Sequence, residues 1–91
     1  MILISYDIQD DKLRTKFAKY IKKYGYRLQY SVFEITNSKN ILKNIMCEIS
    51  DMFEKKFGQG DSVMIIETSE NCKITKWGFQ KNEESDIILI N

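Results

Sequence analysis

The sequence predicts an α+β sandwich, an antiparallel sheet carrying both helices on one face. Apolar residues alternate along residues 1–8 and again along 26–36, the period of strands with two unlike faces. Elsewhere the apolar spacing changes to three and four, the period of a helix buried along one stripe. In chain order the elements read strand, helix, bent strand, helix, strand.

Residues 1–8 place Ile2, Ile4, Tyr6 and Ile8 on one side and Leu3, Ser5 and Asp7 on the other. Asp10 or Asp11 is a natural N-cap, and a carboxylate there suits the helix dipole. Leu13, Phe17, Tyr20, Ile21 and Tyr24 then fall at helical spacing, with Gly25 as the expected stop. The opposite face carries Lys12, Lys16, Lys19, Lys22 and Lys23. Residues 26–36 are long for one strand, so a bend or bulge is expected to split them. Tyr26, Leu28, Tyr30 and Val32 share one face of that run; Arg27, Gln29, Ser31 and Phe33 share the other.

Asn37 or Ser38 caps a second helix, whose stripe runs Ile41, Leu42, Ile45, Met46, Ile49, Met52, Phe53 and Phe57. A turn at 58–61 leads to a buried strand at 62–68, and 72–79 and 86–90 read as two further strands around a polar link at 80–85. With the helices on one face, the other sheet face is expected to show Ser5, Asp7, Arg27, Gln29, Ser31 and Phe33. The last strand, 86–90, exceeds what a four-stranded core needs, and pairing with the sheet edge of a second subunit would bury it.

Ninety-one residues make a single domain spanning 1–91, with no repeat, low-complexity tract or linker. No apolar run approaches the roughly 20 residues that span a bilayer. The N-terminus lacks the pattern of a signal peptide, so the chain is expected to be cytoplasmic. Cys47 and Cys72 lack metal spacing and read as small core residues. The net charge of +1 hides an asymmetry: residues 1–27 hold seven basic and three acidic side chains, and the rest hold seven and ten. A basic end on a neutral chain points to a polyanion, although such a face is also compatible with simple solvation.

The absence of histidine removes imidazole acid–base catalysis and every Ser-His-Asp or Cys-His arrangement. There is no phosphate-cradling G-x-x-x-x-G-K loop. What remains is a carboxylate with a hard divalent ion, Mg²⁺ or Mn²⁺. Asp7 is the candidate ligand, since a rigid strand end can aim it; the alternative is that it merely caps the turn into the helix. One aspartate makes a poor metal site. Two copies meeting at ~5 Å across a two-fold axis would repel by about 3 kcal/mol at an effective dielectric near 20, which a cation relieves. Asp10 and Asp11 read as caps, and Glu34 and Glu67 as outer supports or plain surface residues.

The run YDIQDDKLRTKFAKYIKKYGYRLQYSVFE resembles the CRISPR-associated protein 2 family. The resemblance rests on Tyr6-Asp7-Ile8, Asp11-Lys12 with Arg14, Gly25, and Arg27-x-Gln29-x-Ser31-Val32-Phe33-Glu34, followed by Lys76-Trp77-Gly78 and the apolar stretch 86–90. It implies a ferredoxin-like homodimer with facing sheets, C-terminal strands completing the partner's sheet, and Asp7 at the interface as the metal-binding, catalytic aspartate. It further implies Mg²⁺-dependent endonuclease activity on single-stranded RNA or duplex DNA. Partnership with the CRISPR-associated protein 1 integrase in holding prespacer DNA follows from the same resemblance. Lys12, Arg14, Lys16, Lys19 and Arg27 are then the expected phosphate contacts. Leu13 departs from the family, where a second arginine is common beside Arg14. Two other readings stay open: a non-enzymatic DNA scaffold of the integrase complex, and a related ribonuclease toxin.

Overall fold

The computed structural model describes residues 1–69 and 71–78. The strand expected at 86–90 and its link at 80–85 lie outside the described residues. Strand β1 (Ile2–Asp7) leads to helix α1 (Asp11–Ile21), then β2 (Gly25–Gln29), β3 (Val32–Ile35) and α2 (Lys39–Glu48). Strands β4 (Ser62–Glu67) and β5 (Lys73–Gly78) follow. The five strands form one sheet in the order β2-β3-β1-β4-β5, with every pair antiparallel. The first four make the ferredoxin-like arrangement, and β5 extends it past β4.

The core lies between one sheet face and the helices. Ile2, Ile4 and Tyr6 of β1 point into it, as do Phe33 and Ile35 of β3 and Val63 and Ile65 of β4. From the helices come Leu13, Phe17, Tyr20 and Ile21, then Leu42, Ile45, Ile49 and Phe53. Phe17 sits edge-on to both Tyr6 (5.1 Å) and Phe53 (5.0 Å), joining sheet, α1 and the end of α2 through aromatic pairs worth about 0.5–1.5 kcal/mol each beyond burial.

Both caps form at expected positions. Asp10 accepts from the Leu13 N–H at 2.8 Å, and Ser38 accepts from the Ile41 N–H at 3.4 Å. After Glu48 the second helix widens to a π turn, Ile49–Phe53, and ends in a 3₁₀ turn, Glu54–Lys56. Ile49 and Phe53 stay buried through that change while Met52 is left exposed.

Gly25 is not the helix stop. Helix α1 ends at Ile21 with Lys22 as its cap, and Gly25 opens β2. A Cβ there would lie 2.0 Å from the Glu34 carbonyl oxygen, so the residue is glycine because two backbones meet. Gly78 answers a similar need at φ +94°, with the Asp61 carbonyl oxygen 2.1 Å from where its Cβ would stand.

The expected division of residues 26–36 between faces is corrected. A two-residue turn at Tyr30-Ser31 splits the run, and the register shifts between Arg27 and Gln29. Arg27 pairs with Phe33, and Phe33 pairs with Ile4, which points into the core. Phe33 and Arg27 therefore belong to the helix side. Gln29 pairs with Val32, whose partner Ser5 points to the open face. Tyr26, Leu28 and Tyr30, placed by the sequence opposite Arg27, are exposed. Cys47 and Cys72 are also exposed, not core residues. No helix among the described residues is long and apolar enough to cross a membrane.

Candidate functional site

Asp7 ends β1, the middle strand of the sheet, and is exposed. It shares a face with Leu3 and Ser5, the face that neither helix covers. Its Oδ1 accepts from Gln9 Nε2 at 3.0 Å. The backbone of Gln9 is held from two sides. Its N–H donates to Asp61 Oδ1 at 2.8 Å, and its carbonyl accepts from Arg14 Nη1 at 3.2 Å. The same Arg14 nitrogen reaches the Ile8 carbonyl at 3.0 Å, and Nη2 pairs with Asp11. Asp61 completes its second oxygen with the Gly58 N–H at 2.8 Å. Two charged side chains thus lock the turn that aims Asp7.

Asp61 escaped the sequence reading, where 58–61 was only a turn. It is nevertheless a buried charged residue, 3% exposed, and it ties segments 52 positions apart. Its one sequence signal is an aspartate placed between a glycine turn and an apolar strand. Gln9 likewise carried no signal beyond its neighbours.

The expected outer supports do not reach Asp7 within the chain. Glu67 pairs with Ile2 and Ser62 pairs with Asp7, so Glu67 stands five positions along the sheet, roughly 17 Å away. Glu34 pairs with Leu3 and accepts from the Tyr26 hydroxyl at 2.8 Å. Asp10 caps α1 and Asp11 pairs with Arg14. Among the described residues no three His, Cys, Asp or Glu side chains come together. One chain offers the Asp7 carboxylate beside the Gln9 amide. These oxygen donors suit a hard ion that keeps most of its water, but they do not form a cage.

Apart from Arg14, the expected phosphate contacts lie elsewhere. Lys12, Lys16 and Lys19 are exposed on α1. Arg14 and Lys19, with Lys22 and Arg27, line a cleft of about 350 Å³ between α1 and the β2–β3 hairpin. The Arg27 guanidinium lies 5.2 Å from the centre of the Phe33 ring. The Tyr6 hydroxyl looks into this space and donates to the Tyr30 carbonyl at 3.4 Å. Burial pushes its pKa up, while the Arg27 charge and hydrogen bond pull the other way. A second cleft holds Asp7 and Gln9, and Tyr6, Arg14 and Tyr30 line both. The expected phosphate contacts therefore gather on the helix side, and Arg14 and Tyr30 join them to the Asp7 end.

A family model described as CRISPR associated protein Cas2 matches residues 1–76. The chain belongs to that family. Its relatives include the CRISPR-associated endoribonuclease Cas2 2 of Methanospirillum hungatei, 31% identical over 90 residues that cover 97% of each chain. The CRISPR-associated endoribonuclease Cas2 4 of Rhodospirillum rubrum is 43% identical over 54 residues, 59% of this chain and 44% of that one. The CRISPR-associated endonuclease Cas2 2 of Thermus thermophilus is 43% identical over 42 residues, 46% of this chain and 47% of that one. No solved structure matches. Family members are named as nucleases, and at that level the match agrees with the resemblance carried by Tyr6-Asp7-Ile8 and Arg27–Glu34.

Proposed function

We propose that the chain is a nucleic-acid-binding protein of CRISPR spacer acquisition that acts as a homodimer. In this reading Asp7 is the metal-binding, catalytic carboxylate of a Mg²⁺- or Mn²⁺-dependent endonuclease. The observation that carries it is the position of Asp7. It ends the central strand on the uncovered sheet face, beside a turn whose backbone two charged side chains hold. The uncovered face supports the dimer. Leu3, Val32, Met64, Ile66 and Ile74 are only partly buried there, and a chain of this size gains from covering them. A facing copy would bring a second Asp7 carboxylate to the first.

When bound, the divalent ion supplies charge stabilisation at the phosphate and a water of lowered pKa. The chain itself holds the carboxylate still and brings phosphates close through Lys12, Arg14, Lys16, Lys19 and Arg27. Names of relatives support RNA as a substrate, and duplex DNA is the alternative. The integrase of the same system, CRISPR-associated protein 1, is the proposed protein partner. A purely structural role in holding DNA is favoured by one observation: four of the five expected phosphate contacts, Lys12, Arg14, Lys16 and Lys19, lie on α1, across the sheet from the face of Asp7.

Asp7→Asn separates the two. The substitution keeps the shape and the hydrogen-bonding capacity of the turn while removing the charge. Metal-dependent cleavage of single-stranded RNA and duplex DNA should disappear, with the dimer unchanged in mass by light scattering. Cleavage at the wild-type rate by the Asp7→Asn protein would return Asp7 to the role of a turn residue.

A further inference from the structure

The cleft between α1 and the β2–β3 hairpin combines basic and aromatic side chains. It holds about 350 Å³ and is open to solvent. Among the described residues no carboxylate lines it. Lys19 and Lys22 stand on the helix side, and Arg27 opposes them from β2. Arg14 contributes charge, but Ile8, Gln9 and Asp11 already engage its guanidinium. Thr15 and Ala18 form the helical wall. At the rim stands Tyr30, 73% exposed in the hairpin turn. A large aromatic side chain held this far into solvent has little to do with the core.

We infer that this cleft binds one nucleotide of a single strand, its phosphate among Lys19, Lys22 and Arg27 and its base stacked on Tyr30. The inference rests on the nucleic-acid reading above and assigns Lys22, Tyr30, Thr15 and Ala18 to it. Cations converging from two walls match a phosphate, and a sequence-tolerant stacking platform matches a base. A duplex cannot enter such a space, since its bases are stacked and paired inside a helix whose major groove alone is about 12 Å wide. It meets the exposed lysines along the outer surface of α1 instead. The cleft thus gives the chain a preference for unpaired strands or frayed ends that its net charge of +1 does not.

The test uses the full chain and fluorescence anisotropy with oligothymidylate, oligouridylate and a DNA duplex of the same length. Ala18→Trp fills the cleft without changing charge. Tyr30→Ala removes the stacking ring at a position that is 73% exposed and outside the core, and so stands even where Ala18→Trp folds poorly. Each should weaken binding of at least one single strand roughly tenfold while the duplex changes less than about twofold. Equal losses for strands and duplex, or no loss in either variant, would overturn the cleft and leave a simple basic surface. Wild-type protein that binds none of the three probes would instead remove the nucleic-acid reading itself.

Discussion

Around Asp7 the decisive atoms belong to residues that do no chemistry. Asp61 accepts from Gln9 and Gly58, and Arg14 donates to Ile8 and Gln9, so the peptide after Asp7 is gripped from both sides. Removing Asp61 takes the acceptor away from the N–H groups of Gln9 and Gly58, both only partly buried, so that water replaces it in part. Hydrogen bonds to charged groups contribute about 1.5–3 kcal/mol each. Asp61→Ala should therefore lose roughly 3–5 kcal/mol of stability, while Asp61→Asn, which keeps one acceptor oxygen, should lose about half of that. Urea unfolding measures both. Equal, small losses would show that the turn is held without Asp61. The Asp10 cap could be read from the sequence because capping is local, settled by the three residues that follow. Asp61 could not, because its partner Gln9 lies 52 positions away and only the folded sheet brings them together. The same distinction covers Arg14, legible as a cation but not as the clamp on a turn.

Helices were legible from their stripes, since the apolar positions of α1 are the ones that became buried: Leu13, Phe17, Tyr20 and Ile21. Strand faces were less so. Alternation says which residues share a side but not which side meets the helices, and the register shift after Arg27 breaks the alternation itself. Phe33 consequently moved to the core and Tyr26 to the surface. The link between the two helices was equally hidden. Tyr20 of α1 donates its hydroxyl to Glu48 of α2. Burial, then that bond and the nearby carboxylate charge, raise the Tyr20 pKa well above its ordinary value. The native state therefore holds this proton more tightly than the unfolded chain does. The contribution is complete below the unfolded pKa of about 10 and is lost as pH rises beyond it. Urea midpoints should fall above pH ~10, and fall less steeply in Tyr20→Phe, which cannot ionise there. Parallel declines in the two proteins would show that Tyr20 is not the group responsible.

For the molecule as a whole, the charge asymmetry seen along the sequence becomes an asymmetry in space. The lysines of α1 face outward on the helix layer, while Asp7 and the partly buried apolar residues occupy the opposite face of the sheet. A dimer joined through that sheet face leaves both basic helices on the outside, pointing away from each other. A nucleic acid held by electrostatics then meets two separate basic surfaces, and the salt dependence of binding counts them. Arg14 is a poor choice for that count, because replacing it also releases the turn beside Asp7. Lys12, Lys16 and Lys19 are exposed on the helix surface, so the triple change to Gln isolates charge from fold. Each phosphate contact adds about −0.9 to the slope of log affinity against log salt. The triple variant should flatten the duplex slope by about five if all three lysines of both subunits bind, and by about half of that if the chain acts alone. Mass by sedimentation on the same samples ties the slope to the number of subunits. An unchanged slope would assign the lysines of α1 to solvation, and the duplex would have to be held elsewhere.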